Sequence, residues 1–193
     1  MNSELMLRNV RLAFSDGLVS PKAIAGGKPR YSCNLIIEDP VTLASVQKAI
    51  DEIAKSEFQG KAPKDKDCAL RDGDDNISKD GEPYKGFAGN HYLSANRAES
   101  QGPPLVIDKR RGEITTDRRH AEFPEAGDYV NAKVQLFSLN GKNDKKNAAS
   151  AAYGKKICCS IEVVQLLKKG EPFGGGGKPS AAGFEDLPEE EEV

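Results

Sequence analysis

Cationic side chains in this chain gather where the sequence turns, and aromatic rings stand beside them. Lys22, Lys28 and Arg30 lead into Tyr31, and Tyr84 precedes Lys85. Lys109, Arg110 and Arg111 share one basic turn, with Arg118 and Arg119 on the segment after it. Lys142, Lys145 and Lys146 come just before Tyr153, Lys155 and Lys156. Loop-borne cations neutralise phosphates, and an unpaired base gains about 1–3 kcal/mol by stacking on a flat ring. A single basic cluster is ordinarily a solvated surface; the repetition beside strand ends is what informs. Lys28, Arg30, Lys109, Arg110, Arg111, Lys145, Lys146 and Lys155 are therefore the expected phosphate contacts. Tyr31, Tyr92 and Tyr153 are the expected stacking rings, while Phe87 and Phe137, inside apolar runs, read as core.

Other chemistries find little support. Gly26-Gly27-Lys28 runs into Pro29 and is no phosphate-binding loop. Asp72-Gly73-Asp74-Asp75-Asn76 starts like a calcium loop, but Ile77 replaces the required glycine and Pro83 the terminal glutamate. A nuclease built on Asp72, Asp74 and Asp75 would need rigid carboxylates, and these lie in a polar excursion. Cys33, Cys68, Cys158 and Cys159 form no C-x-x-C pair; adjacent cysteines on a strand face opposite ways, so reduced thiols, mostly core, are expected. No metal, cofactor or catalytic activity is expected.

The tail is distinctive. After Lys178 come Phe184, Glu185, Asp186, Glu189, Glu190, Glu191 and Glu192, six acids with no basic residue, set off by the glycine run 174–177. The whole chain carries 28 Lys+Arg against 30 Asp+Glu, whereas residues 1–178 keep all 28 against 24, a net of +4. A segment so charged cannot bury enough apolar surface to fold and is expected to stay extended. A tethered polyanion imitates a nucleic-acid backbone, and competition for a basic groove on the body follows from it. The simpler role is as a solubility device.

The elements that would position these residues read as mainly β. Leu5 to Phe14 alternates with a register change near Asn9, which suggests a bulge. Arg30 to Glu38 puts Tyr31, Cys33, Leu35 and Ile37 on one face. A helix from Asp39 or Pro40 to about Ser56 presents Val41, Ala44, Val46, Ala49, Ile50 and Ile53. Residues 59–82 are a polar excursion, 84–95 strand-like, 105–108 a short strand, 128–139 and 153–167 longer ones. Five or six strands with one inserted helix and long loops favour an OB-fold-like Greek-key barrel over residues 1–173, followed by a linker and tail at 174–193. No apolar run is long enough for a membrane span, and residues 1–4 lack signal-peptide character, so action in a cytoplasm is expected. A homodimer is conceivable by pairing of the long final strand.

Several stretches, in order, carry a resemblance. Residues 10–14 (VRLAF), 103–108 (PPLVID), 127–132 (GDYVNA) and 170–176 (GEPFGGG) before an acidic end resemble the phage-encoded single-stranded-DNA-binding proteins over most of the chain. The resemblance implies a single OB-fold that coats single-stranded DNA without sequence preference in replication and recombination. It also implies that the acidic tail vacates the groove when DNA binds and then meets polymerase, helicase or recombination partners. Related proteins often end in an aromatic residue; here Val193 is last and Phe184 is internal. The alternative function is a protein-interaction hub that does not touch nucleic acid.

Overall fold

The computed structural model describes residues 2–23, 27–141 and 153–173. Lys145, Lys146 and every tail residue named above lie outside them. The elements are β1 (Asn2–Ala13), β2 (Arg30–Ile37), α1 (Pro40–Glu57), β3 (Leu70–Asp72), β4 (His91–Ala98), β5 (Leu105–Ile107), β6 (Tyr129–Asn140) and β7 (Lys155–Lys168). β1 pairs antiparallel with β2 and β6, β2 with β4, and β6 with β7. A parallel contact at Ala95 and Cys159 joins β4 to β7 and closes the ring β1–β2–β4–β7–β6. Leu12, Leu35, Leu93, Val134 and Ile161 fill it from alternate positions. This is the five-stranded OB path, with the helix between the second and third barrel strands. Among the described residues no helix is long and apolar enough to cross a membrane.

Local chemistry explains the boundaries. The pairing of β1 with β6 slips between Leu7 and Val10, where Asn9 has φ 53°, so the expected irregularity is a bulge. Asp39 caps α1, its carboxylate accepting from the Thr42 N–H at 2.8 Å and the Thr42 hydroxyl at 2.7 Å. Those bonds hold the Asp39 carboxyl below its ordinary range. Val46, Ala49, Ile50 and Ile53 are buried, but Val41 and Ala44 are exposed, because Leu43, in line with Val46, Ile50 and Ile53, is the first-turn residue that packs on the core.

Three further expectations need correction. The strand anticipated at 84–95 begins only at His91; Gly86 (φ 87°) and Gly89 (φ 71°) fold residues 84–90 into turns. The excursion at 59–82 contains a 3-10 turn (Asp65–Asp67) and β3, which pairs with β4. Both edges of β7 are occupied, by β6 on one side and by β4 and β5 on the other, which removes the basis for pairing that strand across subunits.

Candidate nucleic-acid interface

Strand alternation turns Arg30, Ser32, Asn34 and Ile36 of β2 outward, opposite Ala98, Asn96, Ser94 and Tyr92 of β4. Neither strand contains an acidic residue. At the Ile36–Tyr92 end this outer face is covered. Ala13, Ile36, Phe87 and Tyr92 form a buried cluster outside the barrel, with Phe173 packed against it. From Asn34 to Arg30 the face is open, floored by half-buried Ser32, Asn34, Ser94 and Asn96.

Rings stand at both ends of the open strip. Phe14 leaves β1 with φ 58° just beyond Ala13, the partner of Asn34, and is 46% exposed. Tyr84, 39% exposed, meets it edge-on at 5.5 Å, and Phe87 supports both rings from below at 6.1 and 6.4 Å. At the other end the Arg30 guanidinium lies 5.9 Å from the Tyr153 ring centre and donates to Asn96 at 3.1 Å. Tyr153 is 44% exposed. The backbones of Lys22 and Arg30 exchange two hydrogen bonds at 3.0 and 3.1 Å, which puts both side chains on one side.

Charge pairing separates these cations from several others. Arg11, Lys85, Arg97, Arg118, Lys133 and Lys156 each face a carboxylate, from Glu38, Glu171, Glu162, Asp16, Glu4 and Asp67 respectively. Lys22, Lys28, Arg30 and Lys155 have no carboxylate partner among the described residues. Among the described residues Arg30 has only neutral partners, an amide and a ring. Such a cation keeps its charge available to a phosphate.

The expected site residues divide accordingly. Arg30 and Tyr153 border the strip, and Lys28 and Lys155 each stand two residues along the chain from one of them. Tyr31 is half-buried and faces the barrel side, opposite Arg97. Tyr92 is 6% exposed with its ring 5.0 Å from Phe87, so it has no face open to a base, and the stacking role expected for it is corrected to a core role. Phe87 is buried as expected, but Phe137 is only half-buried, facing outward opposite Cys158. Lys109, Arg110 and Arg111 are exposed on a turn after β5. Asp108 ties that turn by accepting from the Arg110 and Gly112 N–H groups at 2.8 and 2.7 Å. Among the described residues no hydrogen bond, ion pair or ring contact joins that turn to Arg30 or Tyr153. Three cysteines are buried, and burial pushes the Cys33 thiol up to about 12, the opposite of a reactive thiolate.

Sequence reasoning missed Phe14 as an exposed ring and passed over Tyr84. It also missed the strap that closes the outer face. The buried Asp128 carboxylate takes the Lys169 ammonium at 3.0 Å and the Gly170 N–H at 3.1 Å. Arg11 donates to the carbonyls of Gly127 and Glu171 and lies 4.4 Å from the Phe173 ring centre. Phe173 sits so close over Gly86 that a Cβ there would lie 2.3 Å from its ring.

Comparison with known proteins agrees with this architecture. The family model described as Enterobacter phage Enc34, ssDNA-binding protein, matches residues 3–193. The putative protein p50 of Acyrthosiphon pisum secondary endosymbiont phage 1 is 31% identical over 204 residues, covering 98% of each chain. The single-stranded DNA-binding protein from bacteriophage Enc34, solved in complex with ssDNA, shares the fold at a TM-score of 0.63 and 24% identity, covering 89% of each chain. Another structure of the Enc34 protein aligns at 0.62 and 24%, covering 94% of this chain and 90% of its own. With the OB path, the aromatic-edged strip and a family match along nearly its whole length, the chain belongs to the family of the Enc34 phage single-stranded-DNA-binding protein.

Proposed function

We propose that this chain binds single-stranded DNA without catalysis or sequence preference, protecting it during phage replication and recombination in the host cytoplasm. The observation that carries this reading is the acid-free outer strip of β2 and β4, with exposed rings at both ends and Arg30, which has no carboxylate partner among the described residues, beside one of them. Unpaired bases would stack on Phe14 with Tyr84 and on Tyr153. Lys22, Lys28, Arg30 and Lys155 would hold phosphates, with Lys145, Lys146 and the Lys109–Arg111 turn extending the track. Neutral Ser and Asn side chains on the floor suit every base, consistent with tolerance of sequence. Family membership and the ssDNA complex of the Enc34 protein support the same ligand.

In this reading residues 1–173 are the binding domain and 174–193 a regulatory tail. The six tail acids compete with DNA for the basic surface and, once displaced, recruit replication proteins such as a polymerase or helicase. Mixing the protein with a labelled oligonucleotide and Mg²⁺ tests the function. A retarded, full-length oligonucleotide is expected; unchanged mobility would favour an interaction hub, and shortening of the label would make the protein a nuclease.

A further inference from the structure

A second concave surface lies at the other edge of β4. It is a groove of about 820 Å³ between α1, residues 60–66 and β3, with Ile50 and Leu70 in its floor and Lys61, Lys64, Lys66 and Arg71 around it. The three lysines are exposed and have no carboxylate partner among the described residues. Asp72 also lines the groove, as do Asp65 and Asp75, so its field is mixed. β3 is the terminal strand of the sheet. The Ala69 carbonyl accepts from Ser94 and the Gly73 N–H donates to Asn90, so alternation turns the backbone groups of Leu70 and Asp72 toward the open edge. An open strand edge over an apolar floor suits a peptide, which brings its own N–H and C=O groups. A polynucleotide offers no such ladder. The surrounding lysines specify an acidic peptide.

We propose that this groove is the resting place of the chain's own tail, with Phe184 and Leu187 over the apolar floor and the flanking acids on Lys61, Lys64, Lys66 and Arg71. The described chain ends beside it: Phe173 packs on the outer cluster containing Tyr92, and Tyr92 also lines the groove. Ten residues separate Phe173 from Phe184, including the glycines 174–177, and each spans at most about 3.3–3.6 Å, so reach is ample. The site also bears on DNA. The Arg71 side chain turns back to the Cys68 carbonyl at 3.1 Å, and Cys68 bridges to Ile157 of β7. Tail acids on Arg71 therefore place negative charge near the start of β7, which Tyr153 precedes by two residues. The inference rests on the competition reading and gives it a location.

Carbodiimide coupling of the full-length protein, read by mass spectrometry on a mixture of isotopically light and heavy copies, tests it. Links from the tail acids to Lys61, Lys64 or Lys66 within one copy are expected, falling several-fold when oligo(dT) saturates the protein. The paired substitutions Lys64→Glu and Lys66→Glu should reduce the remaining links several-fold while far-UV circular dichroism stays unchanged. Tail links to Lys28 or Lys155 instead would overturn the groove and leave the competition reading standing. Links only between light and heavy copies would overturn docking within one chain. No tail links at all would overturn both the groove and the competition.

Discussion

At the residue scale, exposure separates rings that can stack from rings that hold the fold. Tyr84→Ala and Tyr153→Ala should each weaken oligo(dT) binding by about 1–3 kcal/mol, with little change in the melting temperature. Tyr92→Ala removes a ring that is 6% exposed and should instead cost about 3–5 kcal/mol of stability. Parallel thermal melts and binding titrations check both; equal losses in the two assays for Tyr153→Ala would make it a core ring. The sequence distinguished these residues only partly. Arg30 and Tyr153 were legible because a cation and a ring stand close to a turn. Tyr92 has the same composition around it, and its burial comes from Phe87 and Phe173, 5 and 81 residues away. Phe14 reads as the last apolar position of a strand, and only its φ of 58° shows that it turns out of the barrel.

At the element scale, the strap at 169–173 holds residues 84–87, and with them Tyr84, against β1. Phe173→Ala should loosen it by about 1–2 kcal/mol, seen as faster amide exchange at Gly170 and Phe173. Acid should do the same. The Lys85 ammonium, hydrogen-bonded to Glu171 at 2.5 Å, holds that carboxyl below the ordinary glutamate range. A carboxyl whose pKa is lowered on folding contributes fully above its unfolded value and loses that contribution as pH falls through the folded one. Strap protection, taken relative to the intrinsic exchange rate at each pH, should therefore fall in that acid window, and Glu171→Gln should remove the part of the fall due to this pair. A close approach marks the β1–β2 connection: a Cβ on Gly17 would lie 1.9 Å from the Ser32 carbonyl oxygen, so Gly17→Ala should lower the melting temperature. Alternation and capping made β1, β2, α1 and β6 readable in advance. The strap was not, since residues 169–173 have no period, and what holds them is Asp128, Arg11 and Gly86 from three distant segments.

At the scale of the whole molecule, a body of net +4 carries a tail of six acids. Deleting residues 179–193 should tighten single-strand binding most at low salt, where screening is weakest, and the gain should shrink as salt rises. An affinity unchanged by the deletion would remove the tail from the binding equilibrium. The overall architecture was accessible from short strands, one capped helix and long loops. The closure of the barrel was not, because it depends on a parallel contact between Ala95 and Cys159, 64 positions apart. The central claim is that the body reads unpaired bases as well as phosphate charge. The most direct test is the anisotropy of labelled oligo(dT), about thirty nucleotides long, titrated with protein at several salt concentrations beside a duplex of equal length. The four contacts from Lys22, Lys28, Arg30 and Lys155 predict a log–log salt slope of about −3 for the single strand, steepening toward about −6 as Lys145, Lys146 and the Lys109–Arg111 turn engage, and Arg30→Ala should reduce it by about 0.7. The duplex should bind far more weakly. Equal binding to both strands and duplex would contradict the account, leaving only general attraction to charge.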